Sequence, residues 1–451
     1  MNRTLPLILT AALLLTACAS AVPAQSADAT TSPAAAASSP AQPDAAASSP
    51  SQPAAETSAP PLTPKFPVGH LLTLPQNQNS GPVWNTGDAL YELRDASNMT
   101  PEALVLKTDY AALTQSVYCD IPGCTHDSDA CPAYLASDFC VGVMAVDGTV
   151  YTYPGELTNV APTQIYRFDP ATGKTPVAAV PDALPHHMQL QWCDEYALYG
   201  CPLAASHQPG TLYRWDWQND TVQTIPMLAD EKIIACEGSR FLTIRIEANE
   251  PFPNFGSTEQ EKAILAHAVY VYAWLDPATG AREKICTRPY ADGYFHNYYD
   301  GRIYYTGNFR NADTPGQQAA LLYFDTADGT EKTLLETIPF DTYGIDVCEP
   351  FSPAFAGVPQ RYLRVLNVGD AYADCLLDME TGDVLPAPAV TVEGVRRPAL
   401  LLACTASGQW LTTANPRDSY DPQYSLYALW DPADFLADGQ PAAWVTMYAT
   451  E

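Results

Sequence analysis

Apolar and polar residues alternate with a period of two through most of the chain beyond residue 82. "VGVMAVDGTVYTY" (141–153) shows it clearly: two alternating runs flank Asp147-Gly148. Such alternation predicts half-buried β-strands, and an Asp-Gly pair tolerates the positive φ angles that a two-residue hairpin turn demands. "LQWCDEYALYG" (190–200), "IIACEGSRFLTIR" (233–245), "HNYYDGRIYYTG" (296–307) and "LLACTASGQWLTT" (401–413) fill the same slot. A second pattern follows each hairpin, an apolar-aromatic strand that ends in Asp, a tight turn and another strand. It reads "IYRFDPATGKT" (165–175), "LYRWDWQNDTV" (212–222), "VYAWLDPATGA" (271–281), "LLYFDTADGTE" (321–331), "CLLDMETGDVL" (375–385) and "LYALWDPADFL" (426–436), with a weaker copy in "ALYELRDASNM" (89–99).

The unit is therefore four antiparallel strands in roughly 50 residues, and it repeats. Sheets this small are not stable alone, but radial stacking buries both of their faces, which is the logic of a β-propeller. The anchoring aspartates are Asp95, Asp169, Asp216, Asp276, Asp325, Asp378 and Asp431. Their mean spacing of about 56 residues predicts about seven blades across 65–451. "FPVGHLLTL" (66–74) is expected to close the ring by joining the last blade. Long helical periodicity is absent, and 41 prolines oppose helix.

The N-terminus departs from this pattern. "MNRTLPLILTAALLLTACAS" places Arg3 before an apolar run that ends at Ala17. The run is too short for a permanent membrane span and suits a signal peptide over 1–17. "LTAC" (15–18) resembles the lipobox of bacterial lipoproteins. That resemblance implies cleavage before Cys18, lipidation of its thiol, and a chain anchored in the cell membrane on its extracytoplasmic face. Residues 18–64 are Ala/Ser/Pro-rich and without aromatics, so they are read as a disordered tether carrying lipidated Cys18. The formal net charge is −29. A surface of that sign repels phosphate backbones, which argues against nucleic acid as a partner.

The domain resembles exported bacterial lipoproteins with a receptor-like or TolB-type β-propeller. The repeated Tyr-x-x-Asp-x-x-x-Gly segments carry the resemblance across most of 82–435. "DPATGK" and "DMETGD" also resemble quinoprotein repeats, but those end in a docking tryptophan after the Gly, and here "KTPV" and "DVLP" follow. The lipoprotein resemblance implies no particular chemistry.

Candidate chemistry concentrates in "VYCDIPGCTHDSDACPAY" (117–134). Cys119, Cys124, His126 and Cys131 form Cys-x4-Cys-x-His-x4-Cys, and Cys140 lies close by. Three thiolates and an imidazole complete a tetrahedral zinc site, although the spacing differs from the usual ligand pairs. An exported protein favours disulfides, and four thiols allow two bridges. Free or redox-active thiols are the third reading. Asp127 and Asp129 add oxygen atoms that would suit calcium, or are simply solvated. The stretch connects the first two blades and is expected on the face that carries the longer loops, 154–163, 200–210, 246–268, 306–319 and 413–424. No cofactor other than zinc at this loop is suggested.

Cys193, Cys236, Cys348 and Cys404 fall on the first strands of later blades and read as small packing residues near the channel. The aromatics of 290–309 are expected to fill the space between blades, and His186-His187 to precede a strand in a polar loop. No nucleophile elbow, zinc-protease helix or phosphate loop occurs. The expected function is a membrane-anchored propeller that binds a protein partner, a wall component or a glycan on its long-loop face. The alternative is a propeller hydrolase or lyase that uses channel carboxylates on an envelope glycan.

Overall fold

The computed structural model describes residues 63–74, 83–95, 102–136, 141–157, 164–202, 207–250, 258–290, 293–307, 320–336, 348–350, 361–365, 375–386, 389–392, 394–414, 426–437 and 439–448. The expected signal peptide, nearly all of the expected tether, Cys18 and Cys140 lie outside them. The fold is an all-β propeller. The described strands form seven sheets of four or more strands and one two-stranded hairpin, Ala389–Val392 with Val395–Pro398. Six blades are counted where the aspartate spacing predicts seven. The sixth sheet, Cys348–Pro350, Tyr362–Val365, Cys375–Asp378 and Val384–Pro386, has no strand longer than four residues.

The four main strands of each sheet follow chain order, and the first strands of sheets one and two, and of sheets five and six, touch. Interior strands are buried on both faces, as in Ala103–Asp109, because a neighbouring sheet covers each side. Outer strands such as Thr330–Leu335 are mostly exposed. The channel-side strands of sheets three, four, five and seven share a β-bulge, each carrying an extra residue: Gln191, Ile234, His296 and Leu402. A bulge bends a strand and raises its twist, which suits an edge that must curve around an axis.

The repeated aspartates make the turns. Asp169 Oδ1 accepts the main-chain N–H groups of Ala171 (2.9 Å) and Thr172 (3.1 Å), and Asp276 Oδ1 does the same for Ala278 and Thr279. A short carboxylate thus supplies the acceptor that the turn backbone lacks. Four residues after the aspartate the chain takes a positive φ, at Gly280 (75°) and Gly382 (79°) for example. Sheet one corrects the sequence expectation. Asp95 ends its second strand, Ala89–Asp95, and the turn carboxylate is Asp109, which accepts from Ala111 and Ala112. Leu113 (φ 54°) stands where the other copies place Gly, so the motif is hidden in "DYAAL".

Closure differs too. Residues 66–74 do not reach the last sheet. Sheet one (Val83–Asn85, Ala89–Asp95, Ala103–Asp109, Thr114–Val117) packs directly on the last (Leu400–Cys404, Trp410–Ala414, Leu426–Trp430, Ala443–Trp444), sharing one apolar cluster. Thr446 and Thr114 form a parallel bridge. At the centre of the seam Glu92 accepts from Arg94 Nη2 (2.7 Å), Gln115 Nε2 (3.1 Å) and, across the seam, Tyr427 Oη (2.6 Å). Arg94 Nη1 reaches the carbonyl of Tyr448. Glu92 and Arg94 side chains are 3% and 5% exposed, so neither charge has water to fall back on. Glu92→Ala leaves Arg94 buried without its carboxylate and is expected to cost about 3–5 kcal/mol. Urea unfolding of the full chain, compared with wild type, checks it.

Candidate functional site

Two places concentrate unusual structure. One is the cysteine stretch. It does not follow the outer strand of sheet one but interrupts it. Thr114–Val117 and Tyr134–Leu135 both pair with Ala103–Asp109 on the same side. Between them Val105 holds the neck of the excursion: Tyr118 N–H donates to its carbonyl (2.9 Å), and its own N–H donates to Ala133 O (2.9 Å). The excursion lies on the outer edge of sheet one, against the Asp169–Gly173 turn of sheet two. Asp120 N–H donates to Pro170 O (2.8 Å), and Lys174 Nζ reaches Asp129 (2.7 Å) and the carbonyl of Tyr134. It therefore meets the short turns of the neighbouring sheet, not the long connections where the sequence suggested it.

Inside the excursion each local choice brings a ligand atom inward. Ile121-Pro122-Gly123-Cys124 is a tight turn with Pro at its second position and Gly123 at φ 73°, closed by Cys124 N–H on Ile121 O. Pro fixes one φ and Gly supplies the positive one, as a type II turn requires. His126 adopts φ 60° and places Nδ1 3.3 Å from Cys131 Sγ. The ligand atoms of Cys119, Cys124, His126 and Cys131 all lie within 4.8 Å of one another. The three sulfurs are free thiols, and Cys131 is buried against Ala133 and the core of sheets one and two. Burial pushes the Cys131 thiol up to about 12, whereas the N–H of His126 holds Cys124 below the usual thiol range. Pairing two bridges as the sequence allows would require Cys140, outside the described residues. Among the described residues no other group of His, Cys, Asp and Glu converges this way; His186-His187 precede a strand, and His187 N–H is bonded to Leu157 O.

The second place is the channel. Residues 65–74 form a strap across sheets three and four. Lys65 N–H donates to Ala278 O in a short turn of sheet four; Gly69 and His70 donate to Asp194 and Glu195 in a short turn of sheet three. Leu72–Thr73 then pairs with the channel-side strand Met188–Cys193. Leu74 N–H takes the carbonyl of the bulge residue Gln191 (2.7 Å). Glu156–Leu157, from a long connection of sheet two, covers the other half of that edge. Arg214, fully buried, caps the strap through Pro67 O and stacks on Phe66. Cys236 Sγ donates to Leu71 O (3.3 Å), so this cysteine faces the strap rather than a ligand. Cys193 and Cys404 stand on first strands as expected; of Cys348 only the strand is described.

Of the described aromatics in 290–309, Tyr298 and Tyr304 reach neighbouring sheets. Tyr298 stands edge-on to Trp274 of sheet four, and Tyr304 donates to Met379 O of sheet six (2.7 Å). The buried acids of the described residues are all engaged. Asp194 accepts from Tyr199 Oη and two turn amides, Asp216 from Arg214 and Asn219, and Asp378 takes Arg361 through both oxygens. Among the described residues no helix is long and apolar enough to cross a membrane.

No family model and no curated protein matches the chain. Among solved structures it is similar to the acylaminoacyl peptidase of Pyrococcus horikoshii, at 11% identity and a TM-score of 0.42 over 81% of this chain and 51% of that one. It is similar also to the β-propeller domain of the Trilobed protease from Pyrococcus furiosus (8%, 0.43, 81% and 95%). A third likeness is to TolB from Acinetobacter baumannii (12%, 0.31, 79% and 82%). The chain spans about half the length of the peptidase.

Leu71 and Leu74 are almost wholly buried, and each contributes about 2 kcal/mol by leaving water. A chain that begins at residue 75 loses both and bares the edge of Met188–Cys193. Its Cys236 is expected to react with a thiol reagent at least tenfold faster than in the full chain, as timed mass spectrometry of labelled peptides would show.

Proposed function

We propose that this chain is a membrane-anchored, extracytoplasmic β-propeller that serves as a binding module for a protein partner, a wall component or a glycan. In this reading the short-stranded sixth sheet completes a ring of seven blades, and Cys18 carries the lipid. The occupied channel edge supports it most directly. The strap and Glu156–Leu157 cover the inner edge of sheet three with the protein's own backbone. The strap also occupies short turns of sheets three and four, which leaves the end with the longer connections for a partner. Such connections, carried on a rigid scaffold, are the usual place for recognition. The buried acids among the described residues are spent on arginines, tyrosines and turn amides. Hydrolysis of a glycan needs two carboxylates left at liberty on either side of the scissile bond.

Two measurements test the reading. Cys18→Ser is expected to move the protein from the membrane fraction to the soluble fraction of a bacterial host and to abolish labelling by a fatty-acid probe. Retention of both would sink the anchor. Purified full chain incubated with wall fragments and with envelope proteins is expected to be retained without generating new reducing ends or unsaturated sugars. Catalytic release of either would replace the binding module by the hydrolase or lyase.

A further inference from the structure

The excursion of sheet one is built around three sulfurs that behave as acceptors. Each takes a main-chain N–H from the residue two positions ahead: Cys119 from Ile121, Cys124 from His126 and Cys131 from Ala133. The same local arrangement occurs three times in thirteen residues, around a fourth group, the His126 imidazole. N–H groups aimed at a sulfur suit one that carries negative charge when bound to a metal ion. Among the described residues, Lys174, the cation beside the excursion, is directed to Asp129 and Tyr134 O. Asp120, Asp127 and Asp129 make the surroundings more negative still.

The spacing of the four atoms specifies the size of what belongs among them. Zinc holds sulfur at about 2.3 Å and imidazole nitrogen at about 2.0–2.1 Å, so tetrahedral ligand atoms stand roughly 3.5–3.8 Å apart. The observed cluster, with every pair inside 4.8 Å and one at 3.3 Å, needs only small side-chain adjustments to close on that geometry. Soft thiolates with one imidazole select zinc among common divalent ions. We infer that Cys119, Cys124, His126 and Cys131 bind one zinc ion, in a closed four-ligand site that locks the interruption of the outer strand against sheet two.

Loading replaces three S–H bonds by three Zn–S bonds and releases three protons, with no change of oxidation state. All four positions are filled by protein, which leaves none for substrate or water, so the ion is structural. Its mechanical logic follows from the neck. Val105 already fixes Tyr118 and Ala133; the ion fixes the fourteen residues between, which hold little apolar surface of their own. Asp120 and Asp129 then carry that rigidity to Pro170 and Lys174 of sheet two.

The test uses the full chain, purified under reducing conditions without chelator, then stripped and titrated with zinc alone. One equivalent of zinc by native mass spectrometry is expected. Cobalt in its place is expected to show the visible bands of a tetrahedral thiolate complex. Cys124→Ser and His126→Ala should each weaken zinc at least 100-fold, His126→Cys should retain it, and Cys286→Ser, in sheet four, should change nothing. Circular dichroism checks that each variant keeps its sheets. Zinc should also slow hydrogen exchange at 118–133 and 169–174 while leaving sheets four and five unchanged. No bound zinc in the reduced protein overturns the assignment. So does zinc that ignores Cys124→Ser and His126→Ala, or a purified protein two mass units light through a bond within Cys119, Cys124 and Cys131.

Discussion

Every sheet of this protein depends on having a neighbour on each side, and that demand is hardest to meet where the chain begins and ends. Interior strands such as Ala103–Asp109 are apolar on both faces and would be unstable in a lone sheet. Junctions between successive sheets come from consecutive chain; the closing one must be made between sheet one and the last sheet. Here the seam is not zipped by a shared strand. It is made by an apolar cluster and by one carboxylate, Glu92, that gathers an arginine, an amide and the tyrosine of the opposing sheet. A buried charge of this kind is tolerated only when all its bonds are made. It therefore selects one register of the first sheet against the last, where apolar packing alone would accept several.

The fold was legible because its turns are chemical. An aspartate that accepts two amides, followed four residues later by glycine, leaves a trace in the sequence that needs no tertiary context. The trace failed at Leu113, where packing against the last sheet holds a leucine at positive φ and removes the glycine. It failed for the strap as well. Nothing in "FPVGHLLTL" distinguishes a strand that closes a ring from one that lines a channel. That choice rests on bulge carbonyls such as Gln191 and on Arg214, both distant in sequence. The bulges themselves could have been found, since the first strand of each hairpin repeats at a constant distance before the turn.

The cysteine stretch was legible as a cluster and not as a place. The residue types and their crowding were evident, and Pro122-Gly123 announced a turn. That the stretch interrupts a strand, with Tyr134–Leu135 resuming the pairing that Val117 leaves, is invisible without knowing the partner strand. Spacing alone also hides the positive φ of His126, which turns the imidazole toward Cys131.

The strap has one more consequence, and it concerns force. A pull applied at Lys65 is not shared by the whole ring. It falls first on the amide of Lys65 at Ala278, then on Gly69 and His70, then on Leu71 and the short pairing of Leu72–Thr73 with Trp192 and Cys193. These bonds are loaded one after another, as in unzipping, while the sheets behind them, sheared along many bonds at once, hold. Peeling the strap would also break the hold of Arg214 on Pro67 and Phe66, lengthen the chain by about ten residues and uncover the inner edge of Met188–Cys193.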